Sequence, residues 1–168
     1  MESLIHWFIT HLGPGAGKEI TVFIISMFPI LELRGGLLAS SPAFLNIPMQ
    51  KAIPLCVIGN IVPVPFILWL ITPIFNRLKK TAFFRPKVEK MERKAMSKSD
   101  KIEKYEFWGL VLFVGIPLPG TGAWTGSLIA SLLGIKVKKA FPAILVGLAL
   151  ATCIMTMISY GVLGSLVG

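Results

Sequence analysis

The sequence predicts an all-α integral membrane protein built as an inverted repeat, each half a re-entrant helical hairpin followed by a transmembrane helix. Three observations carry this. An apolar stretch from Ile20 to Leu45 returns 88 residues later as Trp108 to Leu133, with its breaks in similar places. The chain is 54% apolar with a mean hydropathy of +0.76 and only eight acidic residues, the composition of a protein whose solvent is mostly lipid. Eleven of its seventeen Lys and Arg fall between Arg77 and Lys104, and three more in Lys136-Val137-Lys138-Lys139. In a membrane protein such clusters mark the cytoplasmic side. That placement, rather than nucleic acid, accounts for the net charge of +9.

At 168 residues there is room for one membrane domain, 1–168, and none for a separate soluble catalytic domain. Residues 1–12 carry Leu4, Ile5, Trp7, Phe8 and Leu12 with His6 and His11 between them, too short to cross and suited to an interfacial helix. The start does not read as a cleaved signal, since Glu2 replaces the usual basic residue and Gly-Pro-Gly follows Leu12. Residues 52–75 and 140–163 each exceed the roughly 20 apolar residues that a helical span requires.

The segments 20–46 and 106–134 are long enough to span but carry Gly, Pro and polar residues at their midpoints. The charges choose between span and hairpin. The basic loop 76–105 and the cluster at Lys136 to Lys139 should face the same side, so 106–134 must enter and return as a re-entrant hairpin. The repeat then makes 20–46 a hairpin from the opposite face, whose flanks hold only Lys18, Glu19 and Lys51. The ungapped matches Pro29 with Pro117, Leu45 with Leu133, Ile47 with Ile135, Lys51 with Lys139, Ala52 with Ala140, Pro54 with Pro142 and Gly59 with Gly147 support the duplication. Interrupted apolar segments in corresponding halves point to a transporter site at the repeat interface.

The first tip, Phe28-Pro29-Ile30-Leu31-Glu32-Leu33-Arg34-Gly35-Gly36, sets a carboxylate beside an arginine. At membrane depth each charge costs about 2.5 to 3.5 kcal/mol on insertion scales, so a purpose is expected. Unwound by Gly35 and Gly36, the pair either faces a cavity or closes as a salt bridge that locks the hairpin. In the first case Arg34 contacts an anionic group while Glu32 exchanges a proton or holds Arg34. The second tip, Gly115 to Gly126, holds four glycines and two prolines in twelve residues. Pro117, Pro119, Gly120 and Gly122 rule out an uninterrupted helix. Amides around Gly120 to Gly122, ahead of a half-helix starting near Ala123, suit a phosphate or carboxylate. Thr121 and Thr125 add hydroxyls, and Trp124 lies between them. Gly122-x-x-x-Gly126 equally matches the small-residue packing pattern of membrane helices. The spacing is neither a P-loop nor a dinucleotide fingerprint.

These two elements, Glu32-Leu-Arg-Gly-Gly36 and Gly115-Ile-Pro-Leu-Pro-Gly-Thr-Gly-Ala-Trp-Thr-Gly126, resemble the small multi-drug export protein family of bacteria and archaea, a distant relative of the DedA (VTT-domain) superfamily. The resemblance covers nearly the whole chain. It implies a DedA-like inverted repeat of re-entrant hairpins and movement of lipid across the bilayer, including polyprenyl-phosphate carriers in bacteria. Glu32 matches the acidic residue of the DedA first hairpin. The arginines of the second are replaced here by Gly-Thr-Gly-Ala-Trp-Thr, which leaves Arg34 and backbone amides as substitutes.

Within 76–105, Val88, Met91, Ala95 and Ile102 share one helical face and Lys87, Lys90, Lys94, Lys98 and Lys101 occupy much of the rest, a pattern that rests on an anionic inner leaflet. Cys56 and Cys153 have neither metal-ligand nor redox spacing and read as small packing residues. No nucleophile with a base appears, so no enzyme and no cofactor is expected. The expected function is a multi-pass transporter or flippase of the cytoplasmic membrane for an amphipathic anion such as a lipid phosphate. The alternatives are a proton-coupled drug exporter and a non-transporting assembly protein. Membrane lipids, the anionic substrate and a second copy of the chain are the expected partners.

Overall fold

The computed structural model is all-helical, and no strand occurs among its described residues, 2–97 and 100–162. Met1, Lys98, Leu163 and the Lys101 side chain, which enter the expectations above, lie outside them. The helices are α1 (Glu2–Ala16), α2 (Lys18–Met27), α3 (Glu32–Ser40), α4 (Met49–Ile61), α5 (Pro63–Leu78), α6 (Arg85–Met96), α7 (Asp100–Gly115), α8 (Ala123–Leu132) and α9 (Val137–Thr156). A π-helical turn, Met157–Val162, extends α9.

Each break has a local cause. Gly17, at φ 78, separates α1 from α2. Pro29 follows the last turn of α2 and cannot donate to its ladder, so the chain turns through Phe28 to Leu31 before α3 begins. Asn46 (φ 49) and Gly134 (φ 70) turn the chain after α3 and after α8, 88 residues apart.

Two runs of helix, Met49–Leu78 and Val137–Gly161, are long and apolar enough to cross a membrane. They carry Pro54, Pro73 and Pro142 in their interiors. Phe66, Trp69 and Met157 on these runs are strongly exposed in the isolated chain, as lipid-facing residues are.

The contacts gather the chain into two compact units. The first holds α1 to α4 together with the end of α9 from Leu148. Its core is Val22, Ile25, Leu33, Leu37, Ala52 and Cys56, joined by Leu148, Ala151 and Met155. On α1, Ile5 and Phe8 face this core while Trp7 stays outside. The second unit runs from Pro63 to Gly147 around Val64, Leu68, Leu110, Val111, Val114, Ile129 and Ile144.

The internal contacts of one unit recur in the other at the 88-residue spacing. A Cβ on Gly59 would lie 2.7 Å from the carbonyl oxygen of Phe23 and 3.1 Å from Cβ of Ser26. A Cβ on Gly147 would lie 2.7 Å from the carbonyl oxygen of Val111 and 2.8 Å from Cβ of Val114. Tyr160 and Thr72 are also 88 residues apart, but the serines they meet are not in that register: the Tyr160 hydroxyl sits 2.9 Å from Ser40 Oγ near the end of α3, and the Thr72 hydroxyl 2.8 Å from Ser131 Oγ near the end of α8.

Helix α6 departs from its expected face. Val88, Ala95 and Ile102 are buried, but Met91 is 52% exposed. Glu92 takes the inward place between Val88 and Ala95, where it pairs with Lys79 at 2.6 Å.

Candidate functional site

In the first unit the turn after α2 is closed by backbone bonds from Leu31 N–H (3.1 Å) and Glu32 N–H (2.9 Å) to the carbonyl of Phe28. Glu32 opens α3 with φ 51, a left-handed conformation that is sterically costly for a residue other than glycine. Its side chain therefore does not follow the regular direction of α3. Arg34 stands two residues on, in ordinary helix. Glu32 is 5% and Arg34 9% exposed, an electrostatic attraction links them, and neither side chain lacks a partner.

Gly35 and Gly36 do not unwind this segment, because both lie inside α3. They allow close approach instead. A Cβ on Gly36 would collide with Ser26 Oγ and lie 2.8 Å from Cys56 Sγ, and one on Gly35 would lie 2.5 Å from Cβ of Leu31. The unwound stretch precedes Glu32 rather than following Arg34, since Pro29 interrupts the ladder earlier than the glycines.

In the second unit α7 has a kink at Glu106 (φ 39) and ends at Gly115. Helix α8 starts at Ala123, with Gly122 (φ 125) before it and no side-chain cap. Between them, Gly120 adopts φ 77. The Thr121 hydroxyl is 3.0 Å from the carbonyl of Ile116 and 2.8 Å from that of Leu118, so its proton is directed back into the turn. Thr121 therefore shapes the loop. Leu118, Gly120, Thr121, Ala123 and Trp124 all have interaction partners. Pro119 and Gly120 are exposed, Pro117, Trp124 and Thr125 half-buried. Gly126 is a packing residue, because a Cβ there would lie 2.8 Å from Val114 Cγ2 on α7.

Glu32, Arg34, Gly35 and Gly36 thus share the first unit, and Pro117 to Gly126 share the second. Three polar residues escaped the sequence reading. Tyr160 reaches Ser40 and the Ile47 carbonyl (2.9 Å), Thr72 reaches Ser131, and Asn60 is buried on α4, its Oδ1 without a partner among the described residues. The available signal was the 88-residue spacing of Thr72 and Tyr160, two different residue types at one place in the repeat.

A family model described as "Putative small multi-drug export protein" matches residues 32–154, from Glu32 at the start of α3 to the later part of α9. No curated protein and no solved structure matches the chain.

Proposed function

This chain belongs to the small multi-drug export protein family, and from that premise we propose that it is a transporter of the cytoplasmic membrane for an amphipathic anion, a lipid phosphate such as a polyprenyl phosphate. The observation that carries the reading is the buried pair Glu32 and Arg34, set beside a helix break with Glu32 in a strained backbone conformation. Two charges at membrane depth cost several kcal/mol unless they serve a path for a polar group. Strained residues that the surrounding structure holds in place concentrate at such sites.

In this reading the two helix-turn-helix segments are re-entrant, enter from opposite faces, and form with their following helices an inverted repeat. The recurring contacts of Gly59 and Gly147 support the duplication. Arg34 receives the anionic headgroup, and Glu32 holds Arg34 and exchanges a proton when the headgroup arrives. The basic segment 76–105 faces the cytoplasm, and a second copy of the chain helps enclose the path.

The family's description names multi-drug export, and a second reading gives that export a proton-coupled form for cationic drugs, in which Glu32 is the membrane carboxylate. Arg34 opposes it, because a neighbouring guanidinium repels a cation. A third reading, assembly without transport, follows if the partners of Glu32 and Arg34 keep the pair permanently closed. Reconstituted liposomes separate the three. Movement of a polyprenyl phosphate without uptake of a cationic dye supports the anion reading. Dye uptake that needs a pH gradient and Glu32, with no lipid movement, replaces it with drug export. Neither movement leaves the assembly reading.

A further inference from the structure

At one end of the second unit the ion pair Lys139–Glu106 ties the start of α9 to the kink of α7. The same device stands in the first unit, where Lys51 at the start of α4 pairs with Glu19 on α2 at 3.0 Å. The backbone beneath the two lysines is the same as well. Lys51 N–H bonds to the carbonyl of Pro48 at 2.9 Å and Lys139 N–H to that of Lys136 at 2.8 Å, each after a positive-φ residue, Asn46 or Gly134. The copies differ in charge. Pro48 and Gln50 of the first unit are replaced by Lys136 and Lys138 in the second. The scaffold stands without those two lysines, so their charge serves something else.

They border a cleft of about 660 Å³, lined also by Phe107, Leu133, Gly134, Ile135 and Lys139 and by Glu106, whose carboxylate is paired with Lys139. Phe107, Leu133 and Ile135 are half-buried and supply an apolar wall, whereas the lysines are exposed. Neither Lys136 nor Lys138 makes an ion pair among the described residues. The Thr72–Ser131 contact brings the later part of α5 to the end of α8, so the strongly basic segment that follows α5 and this cleft share one end of the unit. Tyr105 and Trp108, 59% and 64% exposed, flank Glu106 and Phe107, the pattern of aromatics at a membrane–water interface.

We infer that the cleft seats the phosphate headgroup of an acidic membrane lipid, with Lys136 and Lys138 as its cations and Phe107, Leu133 and Ile135 against the upper acyl chain. Charge complementarity selects the occupant: a basic, partly apolar pocket on the lysine-rich side meets the anionic leaflet. The inference requires that the chain lie in a membrane, and it holds whether or not the chain transports anything.

The test is native mass spectrometry of the detergent-solubilised full chain, titrated with phosphatidylglycerol, phosphatidylcholine or inorganic phosphate. Wild type is expected to retain phosphatidylglycerol over phosphatidylcholine. K136Q/K138Q should lose about 30-fold in phosphatidylglycerol affinity, the product of two surface lysines at their usual strength toward acidic lipid. K136R/K138R should retain that affinity, as should K90Q/K94Q, which removes the same charge from the exposed face of α6. Equal binding of the two lipids, or an unchanged K136Q/K138Q, overturns the inference. Displacement of phosphatidylglycerol by millimolar inorganic phosphate also overturns it, in favour of a free-phosphate site.

Discussion

Gly147 lies so close to the carbonyl oxygen of Val111 that a single methyl group would stand 2.7 Å from it, and Gly59 meets the carbonyl of Phe23 at the same separation. Because the obstacle in each case is backbone, the neighbour cannot turn away. Gly59→Val and Gly147→Val should each lower stability by about 1 to 3 kcal/mol, the usual cost of overpacking a filled site. Gly161→Ala, where a Cβ has open space, should change little. Thermal unfolding in detergent micelles reads all three, and equal melting of Gly147→Val and wild type would refute the close approach.

The hydroxyls of Tyr160 and Thr72 play equivalent parts at the ends of α3 and α8. Tyr160→Phe leaves the ring in place and removes the group that lies 2.9 Å from Ser40 Oγ and the Ile47 carbonyl. A loss of about 1 kcal/mol is expected, as for a typical intramolecular hydrogen bond. Thr72→Val should cost a similar amount through Ser131. The same unfolding measurement checks both, and a stabilised Tyr160→Phe would contradict the assignment.

Glu32 and Arg34 should be energetically coupled. In a cycle of Glu32→Gln, Arg34→Gln and the double variant, each single change leaves the other charge buried without its neighbour, and the double change removes both. A favourable coupling of about 1 to 2 kcal/mol is expected for charges in one network. Additive effects would show that the two charges answer to separate partners.

Outside the apolar segments, Arg85 donates to Glu89 at 2.8 Å. This hydrogen bond holds the Glu89 carboxyl below the usual carboxylate range, helped by the positive charges of Arg85, Arg93 and Lys79. The folded-state pKa lies below the unfolded one, so the pair contributes above the unfolded value and is lost as pH falls through the folded value. NMR titration of the Glu89 carboxyl should give a midpoint lower than that of an ordinary exposed glutamate, and Arg85→Gln should raise it. An unchanged midpoint in Arg85→Gln would assign the shift to other charges.

Much of the helical order was legible because proline leaves a mark that context rarely erases. Pro29 and the Pro117-Leu-Pro119 stretch announced the two breaks, and the long apolar runs around Pro54 and Pro142 announced the two helices long enough to cross a membrane. Glycine is less transparent. Gly35 and Gly36 look in sequence like Gly120 and Gly122, yet the first two sit in helix and clear space for Leu31, Ser26 and Cys56, whereas the second two turn the chain at positive φ. Sequence does not distinguish a glycine needed for its missing Cβ from one needed for its backbone freedom. The strained residue at the first tip is Glu32, a residue type that carries no such signal. Met91 illustrates another limit, since the inward place its helical spacing suggested is held by Glu92, whose partner Lys79 lies outside the helix.

The proposed orientation makes its own prediction. Single cysteines replacing Lys51 and Lys138, in a background without Cys56 and Cys153, should be labelled by an impermeant maleimide from opposite sides of the membrane. Labelling of both from the outside would remove the inverted arrangement.

The claim that the buried pair forms the path of an anionic lipid is tested most directly by transbilayer movement of a polyprenyl phosphate in liposomes holding wild type, Glu32→Gln or Arg34→Ala. The account predicts movement by wild type and its loss in both variants, with the variants still folded by their unfolding curves. Undiminished movement by Arg34→Ala would contradict it.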